Sequence, residues 1–353
     1  MNQAALPGPL ARLYRLPQEL LELLILHTLV PATLVSIFWR LVSFTIPLPQ
    51  NFRPETSISA LTDKVIFVTG GNAGIGSETV LQLAKHRPSN IIVAARNETK
   101  ALRAIKEIET AVPGAQVTFM PLDLMSFKSI REAVNRFNLQ CSRLDILINN
   151  AGIMATPSAK TMEGFEAQFG TNHIGHALLT KLLLPTLIKT SELPNSDVRI
   201  INVSSIAQSM APTGGIIFDT DKLCNLNALR QYGQSKLANV LFTKGLAKRY
   251  PQITSAAVHP GMILTDLYVA ADKSNLVVKL AMRYIAPLFF QLPLEGAYNQ
   301  LWAATAPRDQ IANGAYYLPV GKLAEGSSYA RDEELVDKLW DWTEEQFEKH
   351  GYK

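Results

Sequence analysis

Tyr232 and Lys236 stand four residues apart in Tyr232-Gly233-Gln234-Ser235-Lys236, a spacing that puts both side chains on one face of a helix. A phenol titrates near 10 in water, too high for a base at neutral pH. An ammonium one turn away favours the phenolate and brings that proton toward the working range. Such a pair can move a hydroxyl proton. The spacing alone is a weak sign, since Tyr and Lys often meet by chance on a solvated helix face. Order along the chain strengthens it: Asn172 lies in FEAQFGTNHIGHALLT, and Ser205 closes Val203-Ser204-Ser205, both upstream of the pair.

A second constellation comes earlier. Thr69-Gly70-Gly71-Asn72-Ala73-Gly74-Ile75-Gly76 ends an apolar run and opens a helical one. Gly70 permits a tight turn, Gly74 lets a pyrophosphate approach the backbone, and Gly76 allows close helix packing. Asn72 and Ile75 belong to the same cradle. A glycine-rich loop by itself can be a flexible turn, but the strand-to-helix setting is the one a dinucleotide needs. No Gly-Lys-Ser/Thr follows, which excludes a P-loop. The next apolar run ends in Ala94-Ala95-Arg96-Asn97. An acid there would bond the ribose hydroxyls and select NAD. Arg96 instead offers a planar donor fork suited to a 2′-phosphate, which favours NADP(H). The plainer reading of Arg96 is a surface residue opening a helix. Asn149-Asn150-Ala151-Gly152 closes a further run, where the Asn150 amide and the small Ala151 can line the cofactor pocket.

These residues need a scaffold that brings strand ends together. KVIFVTG, NIIVAA, VTFMPLD, DILINNAG, VRIINVSS and ITSAAVHPG read as strands, with helical stretches such as SETVLQLAKH between them and GAYYLPVG as a late extra strand. Near-continuous apolar strands alternating with helices predict an α/β fold: a doubly wound parallel sheet of Rossmann type, helices on both faces. The chain divides near residue 60, into an apolar N-terminal segment with linker (1–60) and a nucleotide-binding domain (61–353).

Composition agrees. Of 353 residues, 47% are hydrophobic and 18% charged, which excludes a disordered chain. A net charge of +4, with no arginine stripe or finger spacing, gives no reason to expect a nucleic-acid partner. Cys141 and Cys224 stand far apart and suit a reducing compartment. His173 and His176 lack the intervening Glu of a zinc motif, so capping or packing explains them better and no metal is expected. Gly233-Gln234-Ser235-Lys236-Leu237 fails as a nucleophile elbow, because Leu237 takes the second glycine's place. Met154 and Met162 read as pocket lining or core, and His259 as structural.

Taken in order, the glycine loop, NNAG, Asn172, Ser205, YxxxK and His259-Pro260-Gly261 resemble the short-chain dehydrogenase/reductase family over about residues 62–330. FEAQFGTNHIGH and SKLANVLF resemble the branch of retinol dehydrogenases and the WW-domain oxidoreductase, and the tail resembles fungal members. The resemblance implies that Tyr232 is the general acid or base, that Lys236 lowers its pKa and bonds the nicotinamide ribose, and that Ser205 orients the substrate oxygen. It implies that Asn172 holds a helix kink and a relay water, and gives Ser204 no catalytic role. Asp123 and Leu124 match the adenine contact; Pro260, Gly261, Ile263 and Thr265 match the stretch against the nicotinamide. The implied activity is NADP(H)-dependent exchange between an alcohol and a ketone or aldehyde, with secondary metabolism as one setting and a homodimer as one assembly. A non-catalytic NADP(H)-binding sensor or scaffold is the alternative on the same fold.

Two apolar stretches lie outside these motifs. Residues 20–49 carry Glu22 and Arg40 as their full charges, with Leu23 to Trp39 between them about long enough to span hydrocarbon. A tilted membrane anchor leads, then a monotopic helix pair bent at Pro31, then a helical arm packed on protein. The anchor implies a membrane-associated protein, at the endoplasmic reticulum with its catalytic domain toward the cytosol; a cytoplasmic protein is the alternative. Residues 46–60 suit a linker. Residues 266–293 match the family's substrate lid, and their apolar character implies a hydrophobic substrate, although a core-packing helix fits as well.

Overall fold

A computed structural model describes residues 52–261 and 293–352. The expected anchor at 20–49, Ile263, Thr265 and residues 266–292 of the lid lie outside the described residues. No helix among the described residues is long and apolar enough to cross a membrane.

The first half of the chain forms α1 (Pro54–Ser57), β1 (Val65–Thr69), α2 (Gly74–Ala84), β2 (Asn90–Ala95), α3 (Glu98–Ala111), β3 (Val117–Pro121), α4 (Phe127–Gln140) and β4 (Ile146–Asn149). Then follow α5 (Ala167–Phe169), a π turn (Gly170–Ile174), α6 (Gly175–Ser191), β5 (Arg199–Val203), α7 (Thr220–Cys224), α8 (Ala228–Arg249) and β6 (Thr254–Val258). After the undescribed stretch come α9 (Pro293–Thr305), β7 (Tyr316–Leu318), β8 (Lys322–Ala324) and α10 (Glu333–Lys349).

The strands form one sheet in the order β3-β2-β1-β4-β5-β6-β7-β8. From β3 to β7 every pairing is parallel, as expected; β8 turns back antiparallel on β7, with Tyr316 opposite Ala324. This last strand corrects the all-parallel expectation. Lys322 and Leu323 face water, so no apolar run announces it. The inner strands are apolar on both sides because both faces are covered. Phe67, Ile92, Leu147 and Ile200 pack toward α4, α6, α8 and α10. Ile66, Val68, Ile91, Val93 and Ile148 pack toward α2, α3 and α9.

The stretch expected as a linker needs a second correction. Its part from Phe52 on forms α1, and Phe52, Ile58 and Leu61 are buried in the α2–α3–α9 core, with Phe52 edge-on to Tyr298 at 6.1 Å. Proline at the start of α1 and serine at its end resemble linker punctuation; burial of the apolar residues on either side of the helix decides otherwise.

α8 is the central helix, buried at nearly every position from Gln231 to Leu246. α10 covers it: Trp340 stacks on Phe242 at 5.6 Å, and the Arg249 guanidinium lies 4.4 Å from the Trp340 ring. The sheet order reverses between β1 and β4, and a crevice opens there beyond the strands' carboxyl ends.

Candidate active site

The chain leaving β1 must double back to start α2. Gly70 and Gly74 do so at φ +67° and +54°, a region side chains rarely adopt. A Cβ on Gly76 would lie 2.2 Å from the Gly70 carbonyl oxygen and 2.5 Å from Asn150 Nδ2. Gly76 therefore seats the helix on the loop and does not itself line the cleft. The first turn of α2 presents free N–H groups there, a setting that favours phosphate.

A cleft of about 800 Å³ runs along this edge. It gathers Gly70, Asn72, Gly74, Ile75, Arg96, Asp123, Leu124, Asn150 and Ala151 with Ser205, Tyr232, Lys236, Pro260 and Gly261. Sequence reasoning passed over Lys100, Ile153 and Thr171, which also line it. Lys100 carried a usable signal, four residues after Arg96 on the helix that follows. Arg96 is exposed at the mouth, its Nη1 3.9 Å from Met125 Sδ. The Asp123 carboxylate accepts the Met125 N–H at 3.0 Å, which shapes the loop beside Leu124. Met154 lines the cleft as expected. Met162 does not: it is 83% exposed on the turn closed by the Gly164 N–H to Thr161 carbonyl bond, which corrects the lining-or-core expectation.

At the other end of the cleft, α8 presses against the segment after β5. A Cβ on Gly233 would meet the Met210 carbonyl carbon at 2.7 Å and the Ala207 oxygen at 2.9 Å, so only glycine lets α8 pack this closely on the segment that follows Ser205. Ser205 Oγ accepts the Ala207 N–H at 3.2 Å and caps a 3₁₀ turn, Ile206–Met210. Ser204 also lines the cleft, but its hydroxyl donates to the Lys236 carbonyl at 2.7 Å. Lys236 Nζ lies 5.6 Å from the Tyr232 ring centre and donates to the Val203 carbonyl at 2.9 Å. Burial pushes this ammonium down to about 8. No carboxylate lies within ion-pairing distance of it among the described residues. The Asn239 amide donates to the same carbonyl at 3.1 Å.

Asn172 is fully buried behind the cleft wall, in the π turn. Its Oδ1 accepts the Ile153 N–H at 2.8 Å, and its Nδ2 donates to the Ile153 carbonyl and to Ser235 Oγ, both at 2.9 Å. Gly152 leaves room here: a Cβ on it would meet Asn172 Oδ1 at 3.3 Å and Lys236 Nζ at 3.4 Å. Tyr316 of β7 is another neighbour the sequence did not single out. Burial, and secondarily Tyr232, raises its phenol, and its hydroxyl has no hydrogen-bond partner among the described residues. His173 and His259 are buried and held neutral, both pushed down to about 3 by desolvation. Among the described residues no cluster of His, Cys, Asp or Glu could hold a metal ion.

The glycine cradle and the buried ammonium without an anion suit an extended, negatively charged dinucleotide. Comparison with known proteins agrees with this geometry. The short chain dehydrogenase family model matches residues 64–275. A short-chain dehydrogenase/reductase of Aspergillus calidoustus is 38% identical over 306 residues, covering 83% of this chain and 96% of that protein. Retinol dehydrogenase 12 of Mus musculus is 36% identical over 87% of this chain and 94% of its own length. A crystal structure of a protein from Mycobacterium paratuberculosis superposes with a TM-score of 0.65 at 29% identity, covering 85% of this chain and 98% of that one. The chain belongs to the short-chain dehydrogenase/reductase family, oxidoreductases that act with a nicotinamide cofactor.

Proposed function

We propose that this protein is an NADP(H)-dependent enzyme interconverting a hydrophobic alcohol with its ketone or aldehyde. The observation that carries the reading is the convergence of Tyr232, Lys236 and Ser205 on one cleft with the glycine cradle. The nicotinamide, when bound, exchanges a hydride with the reacting carbon. Tyr232 protonates the substrate oxygen in reduction and takes the proton back in oxidation. Lys236, adjacent to the phenol, favours its ionised form and bonds the cofactor ribose. Ser205 already accepts one N–H through its hydroxyl oxygen, so its own proton is available to the substrate oxygen, where charge develops. Arg96, with Lys100 one turn on, answers the 2′-phosphate.

Ile153, Met154, Pro260 and Pro293 make the lining apolar near the chemistry, and one relative is named for retinol, a hydrophobic alcohol. Membrane association through residues 20–49 belongs to the same reading, since it would deliver a lipophilic substrate. A setting in secondary metabolism rests on the resemblance to fungal members.

The test is a screen of lipophilic aldehydes and ketones with NADPH and NADH. Tyr232→Phe is expected to lower kcat by about 10²- to 10⁴-fold with its melting temperature unchanged. Arg96→Ala is expected to weaken NADPH binding by about tenfold, through loss of a charge-assisted bond, and to leave NADH unchanged. Full turnover by Tyr232→Phe would overturn the catalytic assignment. Equal affinity for both cofactors, indifferent to Arg96, would overturn the choice of NADP(H).

A further inference from the structure

His176 lies in the first turn of α6, directly after the π turn, and is buried. Its two ring nitrogens meet two parts of the site, the end of β1 and the π turn. Nδ1 is 3.0 Å from the Asn172 carbonyl oxygen, and Nε2 is 2.8 Å from Thr69 Oγ1 at the end of β1. The hydrogen-bond count determines which nitrogen carries the proton. A carbonyl oxygen can only accept, so Nδ1 must donate. Thr69 Oγ1 already accepts the N–H groups of Asn150 and Ala151, each at 2.9 Å, which fills both of its lone pairs. Its single proton must then go outward, and Nε2 at 2.8 Å is a better acceptor than the Ile148 carbonyl at 3.5 Å. Both sides demand one state: a neutral ring with its proton on Nδ1.

The chain of bonds continues past Asn172. Its amide donates to Ser235 Oγ at 2.9 Å, and the Ser235 hydroxyl donates to the Tyr232 carbonyl at 2.8 Å. An unbroken series therefore joins the strand end beneath the glycine loop, which also sets the Asn150-Ala151 wall, to the helix that carries the phenol. We propose that His176 is a positioning residue that holds the cofactor wall through Nε2 and Thr69, and the helix of the proton-transfer group through Nδ1, Asn172 and Ser235. Burial holds the ring neutral, pushed down to about 4, with the Lys236 charge adding to the effect. The ring does not change charge at working pH. Its contribution is geometric: it orients the Asn172 backbone from one side and the Thr69 hydroxyl from the other.

This role rests on the reading above, in which the cofactor fills the cleft and Tyr232 moves the proton. The experiment has one arm that is independent of that reading. Long-range ¹H–¹⁵N spectra of histidine-labelled protein without cofactor report the tautomer of His176 at neutral pH. The Nδ1-protonated form is expected; an Nε2-protonated or doubly protonated ring overturns the proposal. The second arm separates the two contacts. Asn at 176 places an amide near the Nδ1 position and gives up Thr69; Gln reaches the Nε2 position and gives up the Asn172 carbonyl. His176→Asn is expected to raise the NADPH dissociation constant about fivefold with kcat within about twofold, and His176→Gln to lower kcat about tenfold with NADPH binding within about twofold, as for a hydrogen bond each. Equal changes in both parameters from both variants, or stability loss without either kinetic change, would make His176 a packing residue and overturn the positioning role. If the tautomer is as assigned but the wild-type protein binds no nicotinamide cofactor, the functional reading and the positioning role both fall, while the hydrogen-bond assignment stands.

Discussion

At the amino-terminal edge of the sheet, Asp145 is fully buried between cations. Arg143 grips it with Nη2 at 2.6 Å and Nε at 2.9 Å, Lys64 approaches at 3.2 Å, and the Val65 N–H donates at 2.9 Å. Nearby, Arg199 is buried against Asp197 and the carbonyls of Ala303 and Ala306. At the carboxyl edge, Lys236 is equally buried but has a shared carbonyl where Asp145 has two cations. One edge completes its own charge; at the other, no carboxylate among the described residues balances the Lys236 cation. A buried charge that is paired recovers most of its desolvation cost; one left unpaired weakens the fold. An unpaired cation at the cleft is therefore a cost to stability.

Two substitutions of opposite sign test this contrast. Asp145→Ala leaves Arg143 and Lys64 without their partner, and is expected to lower stability by about 3–5 kcal/mol in urea unfolding. Its kcat should stay within about twofold, because that edge is remote from the cleft. A large loss of turnover in still-folded protein would dissolve the division of labour between the edges. The smaller effect is at the other end. Lys236→Met should abolish turnover yet raise stability at pH 7 by up to about 3 kcal/mol, since an ammonium held near 8 rather than 10.5 disfavours the folded state. The Val203 carbonyl keeps Asn239 as a donor in that variant.

The pH dependence of this gap has a definite sign. Below pH 8 both folded and unfolded Lys236 are charged, and the penalty is complete. Between pH 8 and 10.5 the folded protein sheds the proton first, so the unfolded chain binds more protons and wild-type stability rises. The advantage of Lys236→Met should therefore shrink across that window. An advantage independent of pH would mean that packing at position 236, and not charge, sets the difference.

Much of the site was legible because its residues are punctuation or reactive types at short spacings. Gly70, Gly74 and Gly76 fall within seven residues, and Tyr232 and Lys236 within five. The strands were legible because a sheet covered on both faces demands continuous apolar runs. Other features had no local signature. β8 pairs through backbone while its side chains face water, and Phe52 and Ile58 look like linker residues until the α2–α9 core encloses them. Ser235 sits inside the YxxxK motif yet reads as filler, because its partner Asn172 is 63 residues away. Thr171 and Ile153 reach the cleft through the π turn and the loop after β4, neither of which has a periodicity to read.

From its sequence alone this protein is a doubly wound oxidoreductase with a glycine cradle, a phenol–ammonium pair and an arginine at the end of the second strand. Covalent order and local spacing are enough for that, since each motif is held within one turn or one strand end. Tertiary structure decided what only distant contacts can: which histidine nitrogen carries its proton, which serine hydroxyl of the pair is committed to a backbone carbonyl, and how deeply Lys236 is buried. Those properties arise from groups brought within about 3 Å of each other across the sheet, where hydrogen-bond capacity and desolvation, not residue type, set the chemical state.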